Sequence, residues 1–161
     1  MKQLPPDQLQ RPELSEYKAA EKMPVCVILD NLRSGLNVGA IFRTCDAFSV
    51  EAIYLCGITV HPPHAEILKT ALGATESVTW KSFPDTLSAV DELIASGYTI
   101  LPVEQTDHAV NLDQINLTEL FPIALIFGNE MRGVDPEVLK RCQQSIEIPQ
   151  DGIKHSLNVA T

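Results

Sequence analysis

The sequence predicts an α/β fold: a mostly parallel sheet with helices on both faces. Two observations carry this. Short runs such as "VCVILD" (25–30), "AIYLCG" (52–57) and "PIALIFGNE" (122–130) are largely apolar rather than alternating, as strands buried on both faces are. Between them lie segments with apolar residues at helical spacing, and a strand–helix–strand rhythm implies parallel crossovers. A chain of 161 residues fits one domain, and it carries no internal repeat or low-complexity tract.

The elements follow in order. Residues 1–24 are polar, carry Pro5, Pro6, Pro12 and Pro24, and read as an N-terminal extension to a domain spanning 25–161. Within the extension the pattern predicts a short helix from Ser15, stopped near Pro24. After the first strand, a glycine loop leads into a helix over "NVGAIFRTCDAF" (37–48). Asn37 is its expected N-cap, and Val38, Ile41, Phe42, Cys45 and Phe48 recur at helical spacing. "AIYLCG" is the second strand, "PPHAEILKTAL" (62–72) a short helix and "ESVTWKSF" (76–83) a strand. "PDTLSAVDELIASG" (84–97) opens on Pro84 and Asp85, aligns Leu87, Val90, Leu93 and Ile94, and stops at Gly97. "YTILPVE" (98–104) and "PIALIFGNE" are strands, and "DPEVLKRC" (135–142) is a helix with Pro136 in its first turn. "SIEIP" (145–149) makes a last short strand, and "QDGIKHSLNVAT" (150–161) a loop with a helix start.

Composition bounds the function classes. The chain is 45% hydrophobic and 20% charged, as ordinary globular proteins are. No apolar run approaches the roughly 20 residues that span a bilayer, and the N-terminus lacks the apolar core of a signal peptide. A cytoplasmic protein without a membrane partner is expected. Cys26, Cys45, Cys56 and Cys142 are scattered without C-x-x-C spacing, so buried thiols are expected rather than a metal site. The net charge of -9 argues against a general nucleic-acid coat. Its distribution softens that argument. Between Thr44 and Phe127 the only cations are Lys69 and Lys81, while Arg33, Arg43, Arg132, Lys140, Arg141 and Lys154 flank the polar motifs. Either these meet as a local positive site, or they form a solvated charge mixture.

Three polar, glycine-bearing loops follow strands: "DNLRSGLNVG", "GNEMRGVDP" and "PQDGIKHSLN". Ligands in open parallel sheets bind beyond the carboxyl ends of the strands, where such loops lie. Helix starts there expose N–H groups to an anion or polar ligand. Any one loop is also explained as an ordinary turn; three together favour a site. Familiar nucleotide signatures fail, since "GLNVG" is not G-x-G-x-x-G and no G-K-[ST] exists. Without G-x-S-x-G, or a local base for Ser156, a hydrolase is not supported.

"NLRSGLNVGAIFRTCDAF", "LIFGNEMRGVDPEVL" and "IPQDGIKHSLNVA" resemble, in order, the three motifs of the SpoU (TrmH-like) RNA 2'-O-ribose methyltransferases of the SPOUT superfamily. The resemblance covers nearly all of residues 25–161. It implies S-adenosylmethionine as cofactor, tRNA or rRNA as substrate, a C-terminal trefoil knot and a homodimer with sites near the subunit interface. Carried over by position, Asn37 and Arg43 match the first motif's Asn and catalytic Arg. Glu130 matches the acidic residue of the second, and Ser156 and Asn158 the polar pair of the third. Gly128, Ile148 and Leu157 match cofactor-holding positions, and "VEQT", with Glu104 and Thr106, resembles the loop bordering the adenosine pocket. The match stops at "SLNVAT", short of the C-terminal helix with which relatives complete the knot.

Arg43, inside an otherwise apolar helix, is expected to meet RNA at the ribose to be methylated. Guanidinium is a poor base, with a pKa above about 12, so a cation holding phosphate and stabilising a developing alkoxide is favoured over a deprotonated base. Structural alternatives stand beside each role. Arg43 pairs with Asp46 at i+3, Asn37 and Ser156 merely cap helices, and Glu130 supports Arg132 or Asn37. At the level of the chain, a non-catalytic RNA-binding relative is the alternative to an RNA 2'-O-methyltransferase.

Overall fold

The computed structural model describes residues 1–5, 8–9 and 11–161; Pro6, Asp7 and Gln10 lie outside the described residues. The five-stranded sheet is built from β1 (Met23–Asp30), β2 (Val50–Cys56), β3 (Thr79–Phe83), β4 (Thr99–Pro102) and β6 (Ile123–Phe127). Its order is β3-β2-β1-β6-β4, and every pairing is parallel. The central register sets Cys26 against Ala52 and Ala124, and Ile28 against Tyr54 and Ile126. Successive β1 side chains point to opposite faces, so the strand feeds two cores. Val25, Val27 and Leu29 join Phe42 and Ile67 on one side, while Cys26 and Ile28 join Val90 and Val138 on the other.

The first core is covered by α2 (Gly35–Ala47), α3 (Ala65–Ala71) and α4 (Ala74–Ser77). The second is covered by α5 (Thr86–Ala95) and α6 (Pro136–Leu139). The expected helix-on-both-faces architecture is therefore present. Helix α2 approaches α3 closely at Gly39, where an added Cβ would lie 2.2 Å from the Thr70 hydroxyl oxygen and 2.4 Å from the Ile67 carbonyl. Only glycine lets the backbones meet there.

Several expectations need correction. The first helix, α1, spans Leu14–Ala19, and Met23 and Pro24 belong to β1 instead. A register irregularity between Met23 and Cys26 accommodates the proline. The α2 N-cap is Ser34, whose Oγ accepts the Asn37 N–H at 3.3 Å, so Asn37 is not the cap. Phe48 ends the helix 63% exposed, off the buried face. Ile94 likewise faces out at 47%, and Thr86, Ala89, Val90 and Leu93 form the buried face of α5. Glu76 and Ser77 fall in α4 rather than in β3. The polar stretch after β4 hides a further strand, β5 (Ala109–Asn111), and a 3-10 turn at Leu117–Glu119. The short strand β7 (Ser145–Glu147) pairs in parallel with β5, outside the main sheet.

The cysteines are unpaired, as expected; burial of the Cys45 and Cys56 thiols pushes each up to about 12. Among the described residues no group of side chains is arranged to hold a metal ion, and no helix is long and apolar enough to cross a membrane.

Candidate functional site

Strands β1 and β6 are neighbours, yet their following connections leave to opposite faces, one into α2 and the other into α6. That divergence opens a crevice at the carboxyl edge of the sheet. The C-terminal segment returns over it: Ile146 bridges to Val103, its carbonyl accepts the Glu104 N–H at 3.0 Å, and Val159 and Ala160 pack on the first core. A cavity of about 680 Å3 results. It is lined by eight of the ten sequence-predicted site residues: Asn37, Glu104, Gly128, Glu130, Ile148, Ser156, Leu157 and Asn158. Asn37 and Asn158, 121 positions apart in the chain, thus line the same cavity.

Glu130 anchors the first motif to the second. One carboxylate oxygen accepts Asn37 Nδ2 and the Ser34 N–H, each at 3.3 Å, and the other accepts the Arg33 N–H at 3.5 Å. These donors surround the N-terminus of α2, where backbone N–H groups are unsatisfied and an anion is favoured. Partial burial raises the Glu130 carboxyl, but its own N–H, Asn37 and the Arg33 and Ser34 backbones outweigh that and hold it below the usual carboxylate range. The expected support of Asn37 by Glu130 is realised; no such contact joins Glu130 to the Arg132 guanidinium among the described residues.

The loop after β6 is closed on itself. Asn129 and Gly133 exchange backbone hydrogen bonds at 3.0 and 2.8 Å, and Asn129 Oδ1 accepts the Met131 and Arg132 N–H groups. A Cβ on Gly128 would lie 2.2 Å from backbone atoms of Gly133 and Val134, so the tight turn requires glycine. Both Glu104 oxygens are occupied, accepting the Val134 N–H and the Gln105 N–H at 3.0 Å each. Glu104 therefore clamps this loop from the β4 side while bordering the cavity.

In the third motif Asn158, not Ser156, makes the cap-type bond: its Oδ1 accepts the Ala160 N–H at 2.8 Å. The expected helix start is a turn at Val159–Ala160. The Asn158 amide nitrogen and the exposed Ser156 hydroxyl are left to the cavity side, with Leu157 and Ile148 as its apolar rim at 50% and 39% exposure.

Arg43 and Thr106 do not line this cavity. Thr106 is bound to Ser145, its hydroxyl 2.8 Å from that of Ser145, and it ties the loop before β5 to β7. Arg43 is exposed on α2 and opens onto separate hollows beside α3 and α4. The alternative pairing with Asp46 is not made; Asp46 accepts the Ser77 hydroxyl at 2.5 Å. The flanking cations also divide. Arg33 and Arg132 stand at the Glu130 loop, whereas Lys140 and Arg141 pair with Glu137 and Asp91 on the opposite layer.

One residue escaped sequence reasoning. Asp30, only 1% exposed at the end of β1, accepts the Thr86 hydroxyl at 2.6 Å, Asn31 Nδ2 at 2.8 Å and the Asp135 N–H at 2.8 Å. It fastens the start of α5 and the loop before α6 to the strand that carries the first motif. The available signal was a carboxylate closing an apolar strand, whose partners are far off in sequence.

The solved AdoMet-bound rRNA methyltransferase from Sinorhizobium meliloti superposes with a TM-score of 0.79 at 27% identity, covering 87% of this chain and 52% of that one. The TrmH/SpoU tRNA modifying enzyme of Aquifex aeolicus gives 0.79 at 27%, covering 91% and 73%. In sequence, the tRNA (guanosine(18)-2'-O)-methyltransferase of Aquifex aeolicus is 31% identical over 91% of this chain and 68% of its own length. The enzyme of the same name from Thermus thermophilus is 29% identical over 93% and 75%. The chain thus spans between 52% and 75% of the lengths of these relatives. The model of the SpoU rRNA Methylase family matches residues 24–161, nearly everything from the first strand to the last turn, and the chain belongs to that family.

Proposed function

We propose that the chain transfers a methyl group from S-adenosylmethionine to a ribose 2'-hydroxyl of tRNA or rRNA. The observation that carries this reading is the convergence of residues from all three motifs on one cavity beyond the carboxyl ends of β6 and β4. Its volume of about 680 Å3 lies inside the range of small-ligand sites, about 300–1,000 Å3. Phe127, Ile146 and Leu157 offer apolar surface to a purine, and backbone groups of 128–133 with Asn158 and Ser156 offer polar partners to a charged tail. These residues fit the cofactor. When bound, it supplies an electrophilic methyl on a sulfonium.

The residues divide the remaining work. Asn158 and the Gly128 turn hold the donor. Glu130, depressed in pKa and engaged by three donors, keeps Asn37 and the α2 N-terminus against the cavity rather than accepting a proton. Arg43 holds the phosphate beside the ribose and stabilises negative charge developing on the attacking oxygen, whose proton passes to water as the bond to the methyl group forms. Because Arg43 lies outside the cavity of its own chain, a second copy brings it to the donor, and the working form is a homodimer. The return of residues 145–161 over the crevice supports the trefoil knot that the family resemblance implies.

The test is incubation with methyl-labelled cofactor and bulk RNA, followed by nucleoside analysis. Label in 2'-O-methylnucleosides is expected. Label in a base rejects the ribose assignment, and absence of transfer despite RNA binding supports a non-catalytic binder instead.

A further inference from the structure

Beyond the Gly39 contact α2 and α3 diverge, leaving a hollow of about 530 Å3 lined by Arg43, Thr44, Phe48, Lys69, Thr70 and Leu72 among others. Arg43 and Lys69 are both exposed, and neither takes part in any ion pair among the described residues. The threonine hydroxyls donate inward, Thr44 to the Ala40 carbonyl and Thr70 to Leu36, so the two cations are the uncommitted polar groups. Lys69 is unusual by position as well. Lys81, the other cation between Thr44 and Phe127, is bound to Glu92 at 2.7 Å. The nearest acidic lining, Asp46, lies in the adjoining hollow and accepts from Ser77. At the lip stand Phe48 and Leu72, 63% and 67% exposed.

Two like charges facing one open hollow repel unless an anion lies between them, and the body carries a net charge of -9. A cation pair beside an exposed aromatic ring is the combination that takes single-stranded nucleic acid: phosphate on the charges, base on the ring. We infer that this hollow binds the RNA strand at the phosphodiester adjoining the target nucleotide, with Lys69 as the second phosphate cation beside Arg43 and Phe48 as a stacking platform for a flanking base. The inference rests on the reading of the substrate as RNA and adds to it a second contact surface outside the donor cavity.

Labelled single-stranded RNA binding to the full chain, followed by anisotropy over a salt series, tests it. Lys69→Ala is expected to weaken binding and reduce the salt slope by about 0.7, the share of one single-strand phosphate contact. Phe48→Ala is expected to weaken binding about fivefold or more at every salt concentration without changing the slope. Lys81→Ala is the control and leaves both unchanged. Calorimetry with S-adenosylmethionine, at wild-type affinity for each variant, shows that they fold. If Lys69→Ala and Phe48→Ala bind RNA as wild type does, the inference falls even where 2'-O-methylnucleosides are formed. If wild-type chain binds no RNA, the functional reading falls with it. If Lys69→Glu instead dissociates a dimer while RNA affinity is unchanged, the hollow is occupied by a second copy and the inference is overturned.

Discussion

Glu130 illustrates how a residue's neighbours decide its role. A carboxylate lining the candidate cavity invites the role of base, yet its oxygens already accept from Asn37, Ser34 and Arg33. Its folded-state pKa is depressed, so it contributes stability above the unfolded value of about 4.3, and that contribution is lost as pH falls through the folded value. Glu130→Gln is accordingly expected to flatten the acid side of the stability profile below about pH 4.3, read by thermal melts across pH. Arg43→Ala is expected to cut kcat about 10²–10³-fold while calorimetric affinity for S-adenosylmethionine is retained; near-wild-type kcat would remove Arg43 from the chemistry. Gly128→Ala should weaken cofactor binding, because its Cβ would displace the 133–134 backbone that shapes the cavity. Unchanged affinity would show that the turn does not hold the donor.

At the scale of elements, the fit of α2 on α3 is the clearest dependence. Gly39→Ala places a methyl group 2.4 Å from the Ile67 carbonyl, which has no free rotamer to retreat into. Overpacking of this kind costs about 1–3 kcal/mol, a fall in Tm of several degrees that calorimetry would detect. The elements themselves were largely legible, because periodicity and length separate apolar strands from amphipathic helices. What stayed hidden has a common cause. Strand β5 has three half-buried residues and gains its identity only from pairing with β7. The N-cap fell to Ser34, whose Oγ accepts the Asn37 N–H, while the Asn37 side chain is engaged by Glu130 instead. Phe48, at helical spacing with the core, is exposed because the helix ends there and its ring passes beyond the packed layer.

For the whole molecule, the three polar loops do meet, and that was readable from their place after strands of a parallel sheet. The partition of the site was not. Asn37 and Arg43 lie six positions apart on one helix, about 120° from each other around its axis; the spacing separates their faces but does not say what each face meets. Asp30 escaped for the same reason, since its donors come from residues 86 and 135. The central claim is that the donor cavity and Arg43 are two halves of one site, closed between two copies of the chain. Mixing subunits tests this most directly. Arg43→Ala chains, with intact cavities, are co-refolded with Gly128→Ala chains, which keep their arginine, and methyl transfer to RNA is measured against each variant alone. The account predicts that the mixture regains transfer well above that of either parent alone. A mixture as inactive as its parents, with mixed dimers demonstrably formed, would contradict it.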